Sequence, residues 1–383
     1  MAEDRRQRVT LFTESDPLRL AGGETLAPVD VVFETWGTLN AARDNAVFVA
    51  HALTGDSHAS GTAEAPGWWD TMVGPGKPVD TNRFFVICPN LLGGCRGTTG
   101  PTSINPATDT PYGLDFPILE ISDFVSVHRA LMSHLGIERL LAGVGGSQGG
   151  MQILQWALTA PEEIAHAVLV AATSRLSAQN IAFSAVARSA IMRDPEFAEG
   201  RYAEQPADPS GGQSGPRTGL AVARMMAHIT YLSEEAMAEK FGRRFQDGDA
   251  AARKLGVDFA VESYLEYQGD VFLDRFDALS YLYLTRSLDY FDPFADPHAI
   301  DALAASDTTV LTISFDSDWR FSTAHSRRLV RALEQAGVSV SFREISAPHG
   351  HDSFLLDVPD YLATVRAYLD HAWASRGARR HAS

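Results

Sequence analysis

One serine inside a run of glycines constrains the fold more than any other feature of this chain. The run GGSQGG occupies residues 145–150, an apolar segment at 140–144 leads into it, and a helical pattern at 151–158 follows. A sharp turn from strand to helix strains the serine backbone and leaves space only for small neighbours. The helix N-terminus also directs backbone N–H groups toward the place where an oxyanion would form. Unless the run is a plain glycine-rich turn, Ser147 is predicted to be a nucleophile.

Short apolar segments alternate with helical segments over much of the chain. Several are apolar throughout, which is typical of parallel strands that are covered on both faces. The predicted strands are residues 29–34, 46–50, 84–88, 139–144, 165–172, 309–315 and 338–345, and helices are predicted at 121–135, 151–158 and 359–373. This order predicts an α/β fold with a doubly wound, mostly parallel sheet.

The strand pattern disappears between residues 178 and 306. Helices are predicted there at 219–232, 234–245, 257–272 and 277–289, and the Gly/Ser/Pro-rich residues 205–217 predict a mobile surface loop. We therefore expect a sheet domain formed by residues 1–177 and 307–383, with residues 178–306 inserted as a helical lid.

Acidic and histidine residues follow the last two predicted strands. Asp316 and Asp318 come directly after residues 309–315, and His349 and His351 come shortly after residues 338–345. A serine attacks only when a base takes its proton, and the order serine, acid, histidine is that of α/β-hydrolase folds. Spacing alone does not decide between Asp316 and Asp318 as the acid, or between His349 and His351 as the base. Gly350 allows a tight turn and a helix start follows, which favours His351 as the base.

The loop after the predicted strand 46–50 is the candidate second half of an oxyanion hole. In this fold the backbone amide after the nucleophile and one amide from an early loop donate, which here are Gln148 and Leu53. His51 and His58 have no further ligands at suitable spacing, so no metal is expected.

Charge and composition exclude several other classes. The net charge is −16 with no long Lys/Arg run, which argues against nucleic-acid partners. No apolar stretch is long enough to span a membrane, and no signal-peptide core follows the charged start. The two cysteines, Cys88 and Cys95, are expected to be reduced thiols rather than a disulfide, so we expect a cytoplasmic protein.

Several further motifs lie along the chain. They are LLGGCRGTTGP at residues 91–101, SINP at 103–106, YGLDFP at 112–117, GGSQGG at 145–150, RFD at 275–277, SYLYLT at 280–285 and GHDSFL at 350–355. Together they resemble the homoserine O-acetyltransferase family. The resemblance covers about residues 10–375 and implies an α/β-hydrolase fold with a helical lid.

The resemblance also implies an activity. It is transfer of an acetyl group from acetyl-CoA, as co-substrate and with no bound cofactor, to the hydroxyl of L-homoserine in methionine biosynthesis. The route would be ping-pong through acylated Ser147, with Asp318 rather than Asp316 as the acid and His351 as the base. A homodimer through the lid is implied as well, and the apolar face of residues 277–288 is compatible with one.

A zwitterionic acceptor needs one cation and one anion in its site. Arg224, His228 and Tyr231 share a helix face, which by spacing alone would be a solvated polar face. The resemblance assigns Arg224 and Tyr231 to substrate recognition, and an arginine fork suits a carboxylate. Asp352, beside the expected base, is the matching candidate for the ammonium group.

Two alternatives stay open. Succinyl-CoA could be the donor, or serine or a related amino alcohol the acceptor, since a few pocket side chains decide both. A serine esterase would use the same three residues with water as the acceptor.

Overall fold

The computed structural model describes residues 5–204, 214–248 and 250–379, and a central eight-stranded sheet organises them. The order of the strands across the sheet is β1-β2-β4-β3-β5-β6-β7-β8, and only β2 runs antiparallel to its neighbours. The strands are β1 Gln7–Leu11, β2 Val29–Trp36, β3 Ala46–Ala50, β4 Phe85–Pro89, β5 Ala142–Gly146, β6 His166–Val170, β7 Thr309–Phe315 and β8 Ser339–Ile345. The mostly parallel sheet predicted from the apolar segments is confirmed, whereas β1 was not predicted.

The sheet is buried on both faces, which explains the continuous apolar strands. In β3 the side chains of Phe48 and Ala50 belong to one core cluster, while Val47 and Val49 belong to a second cluster on the opposite face. Because alternate residues of a strand point to opposite faces, a strand between two helix layers must be apolar at every position.

Ten helices flank or extend the sheet in the described part of the chain. They are α1 Ile121–His134, α2 Gln148–Thr159, α3 Ala178–Met192, α4 Arg217–Tyr231, α5 Glu234–Lys240, α6 Ala260–Leu273, α7 Ala278–Tyr290, α8 Asp301–Ala304, α9 Thr323–Gln335 and α10 Pro359–Arg379. Helices α3, α8 and α9 were not predicted. The helix predicted at 234–245 ends at Lys240, and Phe245 instead forms an isolated bridge with Phe259.

The helices α3 to α8 lie between two neighbouring strands. β6 and β7 pair in parallel although residues 171–308 separate them in sequence. These helices form a helical insertion in which α4 packs against α3 and α6. The predicted loop at 205–217 falls for residues 205–213 outside the described residues.

Helix α7 is the most deeply buried element of the insertion. Nearly all of its residues are buried, including Leu279, Leu284 and Leu288. Its apolar face, which the sequence made compatible with a dimer contact, therefore packs inside the protein.

Two smaller points bear on the expected class of protein. Cys88 and Cys95 are both free thiols. Among the described residues, no helix combines the length and the apolar character that crossing a bilayer requires.

Candidate active site

The turn between β5 and α2 holds Ser147 in a strained conformation. Its φ and ψ are 56° and −123°, a region that side chains rarely adopt, and α2 begins at the next residue. A Cβ on Gly145 would collide with the backbone of Gly149, and a Cβ on Gly149 would collide with the Ala50 carbonyl. Glycine is required at both positions because the backbones touch there. The turn projects the Ser147 side chain from the carboxyl edge of the sheet.

Ser147, His351 and Asp318 form one hydrogen-bonded chain. His351 Nε2 lies 2.8 Å from Ser147 Oγ, and His351 Nδ1 lies 2.7 Å from Asp318 Oδ2. His351 and Asp318 are each only 2% exposed. Because a carboxylate accepts only, His351 donates from Nδ1 and its Nε2 can accept the Ser147 proton. The arrangement can activate a serine hydroxyl and stabilise the resulting imidazolium.

The structure shows which member of each open pair, Asp316 or Asp318 and His349 or His351, lies beside Ser147. Asp318 Oδ1 also accepts the Phe321 N–H at 2.8 Å, which fixes the carboxylate opposite the imidazole. Asp316 instead accepts hydrogen bonds from Ser346 Oγ at 2.7 Å and from the Ala347 N–H at 3.0 Å. Asp316 therefore ties the ends of β7 and β8 together. It is Asp318 and His351 that lie beside Ser147.

The two expected oxyanion donors have free N–H groups. Within the described part of the chain, neither Leu53 nor Gln148 uses its backbone N–H in a hydrogen bond. The loop before Leu53 is held by His51, which accepts the Leu91 N–H at 3.2 Å and donates to the Ala52 carbonyl at 2.7 Å. Burial lowers the pKa of His51, so the ring stays neutral and can keep both roles.

A cavity of about 360 Å³ opens in front of Ser147. The sheet side and the insertion both line it. Of the residues singled out in the sequence, it is lined by Leu53, His58, Ser147, Arg224, Tyr231, His351 and Asp352. The predicted base and nucleophile thus share one space with the predicted acceptor residues, and Asp318 lies behind the base.

Arg224 presents a guanidinium without an acidic partner. Its Nη1 lies 3.5 Å from Thr54 Oγ1, and it stands over the rings of Phe272 and Tyr231 at 4.7 and 5.7 Å. Its buried Nε has no hydrogen-bond acceptor among the described residues. A buried cation is costly unless it is paired, so this group is suited to an anionic ligand.

Asp352 is the complementary group. Its carboxylate makes no hydrogen bond or ion pair with the described residues, although it faces the same cavity as Arg224. Burial raises the pKa of Asp352 and the charge of Asp318 adds to the rise, whereas electrostatic interactions with His351, Arg224 and Arg320 counteract it. The cavity therefore contains an unpaired anion and an unpaired cation.

His228 lies behind the cavity rather than in its wall. Its ring is buried 5.7 Å from the ring of Tyr231, and Tyr264 Oη is 3.4 Å from its Nδ1. Burial and the positive charges of Arg224, Lys240 and Arg275 lower the pKa of His228 to about 3. A neutral ring at this place supports Tyr231 by packing.

His58 uses both ring nitrogens within the protein. Nδ1 lies 2.9 Å from Glu34 Oε2, and Nε2 lies 3.1 Å from the Ala65 carbonyl. Burial alone would lower the pKa of His58, but hydrogen bonds to Glu34 and Ala65 and the charges of Glu34 and Asp56 outweigh it, so the pKa is raised. Among residues 5–204, 214–248 and 250–379, no three His, Cys, Asp or Glu side chains are arranged to hold a metal ion.

Comparison with known proteins identifies the family. A family described as "alpha/beta hydrolase fold" matches residues 45–358. The chain is 57% identical to the homoserine O-succinyltransferase of Nocardioides sp. over 95% of this chain and 97% of that one. It is 51% identical to the homoserine O-acetyltransferase of Rhodopseudomonas palustris over 98% and 94%. This chain belongs to the homoserine O-acyltransferase family.

Solved structures of similar fold carry two kinds of name. The homoserine O-acetyltransferase of Bacillus anthracis matches with a TM-score of 0.84 at 28% identity, over 95% of this chain and 97% of that one. Esterase E22 matches with a TM-score of 0.83 at 28% identity, over 96% and 100%. The fold expected from the resemblance is confirmed. Within the homoserine O-acyltransferase family the two donor names leave the acyl group open.

Sequence reasoning missed Arg320 in this member of the homoserine O-acyltransferase family. Arg320 is 8% exposed, lines the cavity and donates to Thr230 Oγ1 at 2.6 Å. It has no carboxylate partner within the described residues. The sequence feature that could have identified Arg320 is its position two residues after Asp318. It follows the carboxyl end of β7, where parallel sheets bind ligands.

Proposed function

We propose that the protein transfers an acyl group from an acyl-CoA thioester to the side-chain hydroxyl of L-homoserine, a step of methionine biosynthesis. One observation carries the proposal. A single cavity contains Ser147 and His351, whose imidazole is hydrogen-bonded to the buried Asp318 behind it, together with an unpaired guanidinium and an unpaired carboxylate. A generic esterase has no need of that pair of charges, whereas an amino acid does.

The first half-reaction acylates the enzyme. His351 Nε2 takes the proton of Ser147 Oγ while that oxygen attacks the thioester carbonyl carbon. The developing oxyanion is held by the N–H groups of Leu53 and Gln148. The carbon–sulfur bond then breaks, and the departing coenzyme A thiolate takes the proton from His351.

The second half-reaction transfers the acyl group to homoserine. The acceptor hydroxyl gives its proton to His351 and attacks the acyl carbon, after which Ser147 leaves and recovers the proton. Arg224 binds the homoserine carboxylate and Asp352 binds its ammonium group. Tyr231, the last residue of α4, forms the wall of the cavity next to His351. The ring of Tyr231 lies 6.1 Å from that of His351, so these groups are close enough to orient the hydroxyl at the base.

For the donor we propose succinyl-CoA, in place of the acetyl-CoA expected from the resemblance. Homoserine has one carboxylate, yet the cavity contains three guanidiniums without acidic partners in the described chain, Arg224, Arg275 and Arg320, of which Arg320 is the buried one. A succinyl group ends in a second carboxylate and an acetyl group does not. Leaving a buried guanidinium unpaired is costly, which favours a donor that pairs with Arg320. Relatives at 57% and 55% identity are named homoserine O-succinyltransferase.

The test is thiol release from succinyl-CoA and acetyl-CoA, each without acceptor, with L-homoserine and with L-serine. We expect release that depends on L-homoserine and is faster with succinyl-CoA. Fast release without any acceptor would mean an esterase and would end the proposal.

In Arg320→Leu, kcat/KM for succinyl-CoA should fall roughly 10- to 100-fold with acetyl-CoA little changed, because only the former loses a charge-assisted bond. An equal loss with both donors would exclude Arg320 as the donor contact.

We also propose that the protein is a homodimer through the helical insertion. Exposed apolar side chains lie on neighbouring helices: Val222 and Ile229 on α4, and Tyr267 and Val271 on α6. Each pair has helical spacing and therefore shares one face. Light scattering should give twice the monomer mass, and Val271→Asp should reduce it; a monomeric wild type would refute the dimer.

A further inference from the structure

The cavity is a positive region in an acidic protein. Its lining includes five arginines, Arg6, Arg96, Arg224, Arg275 and Arg320, against two carboxylates, Asp56 and Asp352. The whole chain has a net charge of −16. An excess of cations concentrated in one concave place attracts anions that the rest of the surface repels.

Three of these arginines have no task in the proposed reaction, because Arg224 and Arg320 are assigned to the carboxylates of acceptor and donor. Arg6 lies 3.9 Å from Glu34, and the other two are Arg96 and Arg275. Arg96 is partly exposed, and its Nε is 3.9 Å from Asp56 Oδ2, too long for a hydrogen bond. The Arg275 guanidinium makes no ion pair with the described residues and lies 5.6 Å from the Phe272 ring.

Arg275 is held in place by its backbone rather than by an anion. Its N–H donates to the Phe272 carbonyl at 3.1 Å, and its carbonyl faces the Cys95 thiol at 3.8 Å. Burial and the positive charge of Arg224 lower the pKa of Arg275, which Asp56 only partly offsets. The guanidinium thus lies in an environment that disfavours its charge, and an anionic ligand would relieve this cost.

Arg96 and Arg275 also line a second cavity, of about 370 Å³, whose wall includes Tyr202 and the carboxylates of Asp274 and Asp277. Asp277 already accepts hydrogen bonds from Tyr202 Oη and the Ser280 N–H, and Asp274 lies 3.9 Å from Arg217. The two cavities share this pair of arginines, so the pair lies between the catalytic space and a further space at the edge of the insertion. A long ligand with its reactive end at Ser147 can extend past these two side chains.

We propose that Arg96 and Arg275 bind the phosphate groups of the acyl-CoA donor. The inference rests on the proposed function. Coenzyme A has its thioester at one end of a long neutral arm and its phosphates at the other, so it needs cations away from the nucleophile. Guanidinium forks match phosphate oxygens in a bidentate manner. The rest of the protein carries a net negative charge and therefore repels a polyanion.

The test compares each acyl-CoA with the same acyl group on N-acetylcysteamine, which has the thioester and no phosphate. In Arg96→Gln and Arg275→Gln, kcat/KM for acyl-CoA should fall about tenfold each, as for loss of a charged hydrogen bond, with the short thioester unaffected. Arg275→Lys should recover part of the loss. Arg327→Gln on α9, whose partner is Glu344, is the matched control and should leave both substrates unchanged.

Two outcomes would overturn the inference. Equal losses with both thioesters would show that the arginines only support the fold of the insertion. A rise confined to the KM for L-homoserine would make Arg275 part of the acceptor site. Calorimetry of coenzyme A and of pantetheine separates this inference from the proposed function, because it needs no turnover. If the wild type binds both equally, the phosphate site is wrong even if homoserine is acylated; if it prefers coenzyme A but acylates nothing, only the function is wrong.

Discussion

The sheet edge supplies the reacting groups of the cavity, whereas the helical insertion supplies the recognition group Arg224. On the sheet edge, the reacting groups beside Ser147 are fully partnered: His351 uses both ring nitrogens and Asp318 both oxygens. On the insertion, the Arg224 Nε has no partner among the described residues, and the recognition groups Asp352 and Arg320 at the sheet edge likewise have no partner of opposite charge among them. The reacting groups are arranged before substrate arrives, whereas the recognition groups await their counter-charges.

The difference has a physical reason. A base must have the right tautomer and position at the moment of reaction, so its partners belong to the protein. A group that binds a charged substrate must give up any protein partner first, and each internal ion pair would reduce affinity. Substitutions of the partnered groups beside Ser147 should therefore reduce the chemical step, and substitutions of the recognition groups should reduce the use of one substrate.

The largest effect is expected for Ser147→Ala. Loss of the attacking oxygen should lower kcat for acyl transfer by roughly 10⁴- to 10⁶-fold, since groups that act as a unit fail together. Thiol release measures the rate, and circular dichroism with a thermal melt checks that the fold is intact. Turnover within tenfold of the wild type would rule out an acyl-serine intermediate.

Next comes Asp318→Asn, which should lower kcat by roughly 10³- to 10⁴-fold because the imidazole then takes the wrong tautomer. Asp316→Asn is the matched control at the end of the same strand. It loses only the contacts to Ser346 and Ala347 and should lower kcat less than about tenfold. Similar losses in the two variants would mean that the strand end, and not the Asp318–His351 bond, matters for the rate.

A smaller and more selective effect is expected for Arg224→Met. Removing the guanidinium should lower kcat/KM for L-homoserine by roughly 100-fold, the range of a lost charged hydrogen bond, and change formation of the acyl-enzyme less than about threefold. Arg217→Met at the start of α4 is the control, since Arg217 lies outside the cavity and 3.9 Å from Asp274. If both half-reactions slow equally, Arg224 supports the insertion rather than the acceptor.

The smallest effect is expected for His58 on the sheet side, whose two ring nitrogens both pair with groups of the protein. The pKa of His58 is raised above 6.5, so the folded state binds the proton more tightly than the unfolded chain. Its stabilisation is present below pH 6.5 and is lost as the pH rises through the folded pKa. The difference in unfolding free energy between wild type and His58→Gln should shrink above that pH, by less than about 1 kcal/mol because solvent screens the ring. Urea titrations measure it; a difference that grows with pH would contradict the assignment.

Local features of the sequence determined the scaffold. The apolar strands and the glycines of the turn around Ser147 could be read directly, because burial on both faces and a forced backbone approach act within a few residues. Two strand ends followed by Asp316/Asp318 and His349/His351 predicted where an acid and a base would lie. The first strand and α9 were among the elements missed. β1 is largely exposed and α9 is strongly polar, so neither carries a long apolar signal.

The tertiary structure alone decided which side chains meet. His351 and Ser147 are 204 residues apart, and only the packing of β5 beside β6, β7 and β8 brings them within 2.8 Å. Spacing could place Arg224 and His228 on one helix face but could not tell that one reaches the cavity and the other does not. Arg320 became visible only as a buried cation without a carboxylate. Contacts of this kind depend on the orientation of whole elements, which packing fixes and no local pattern records.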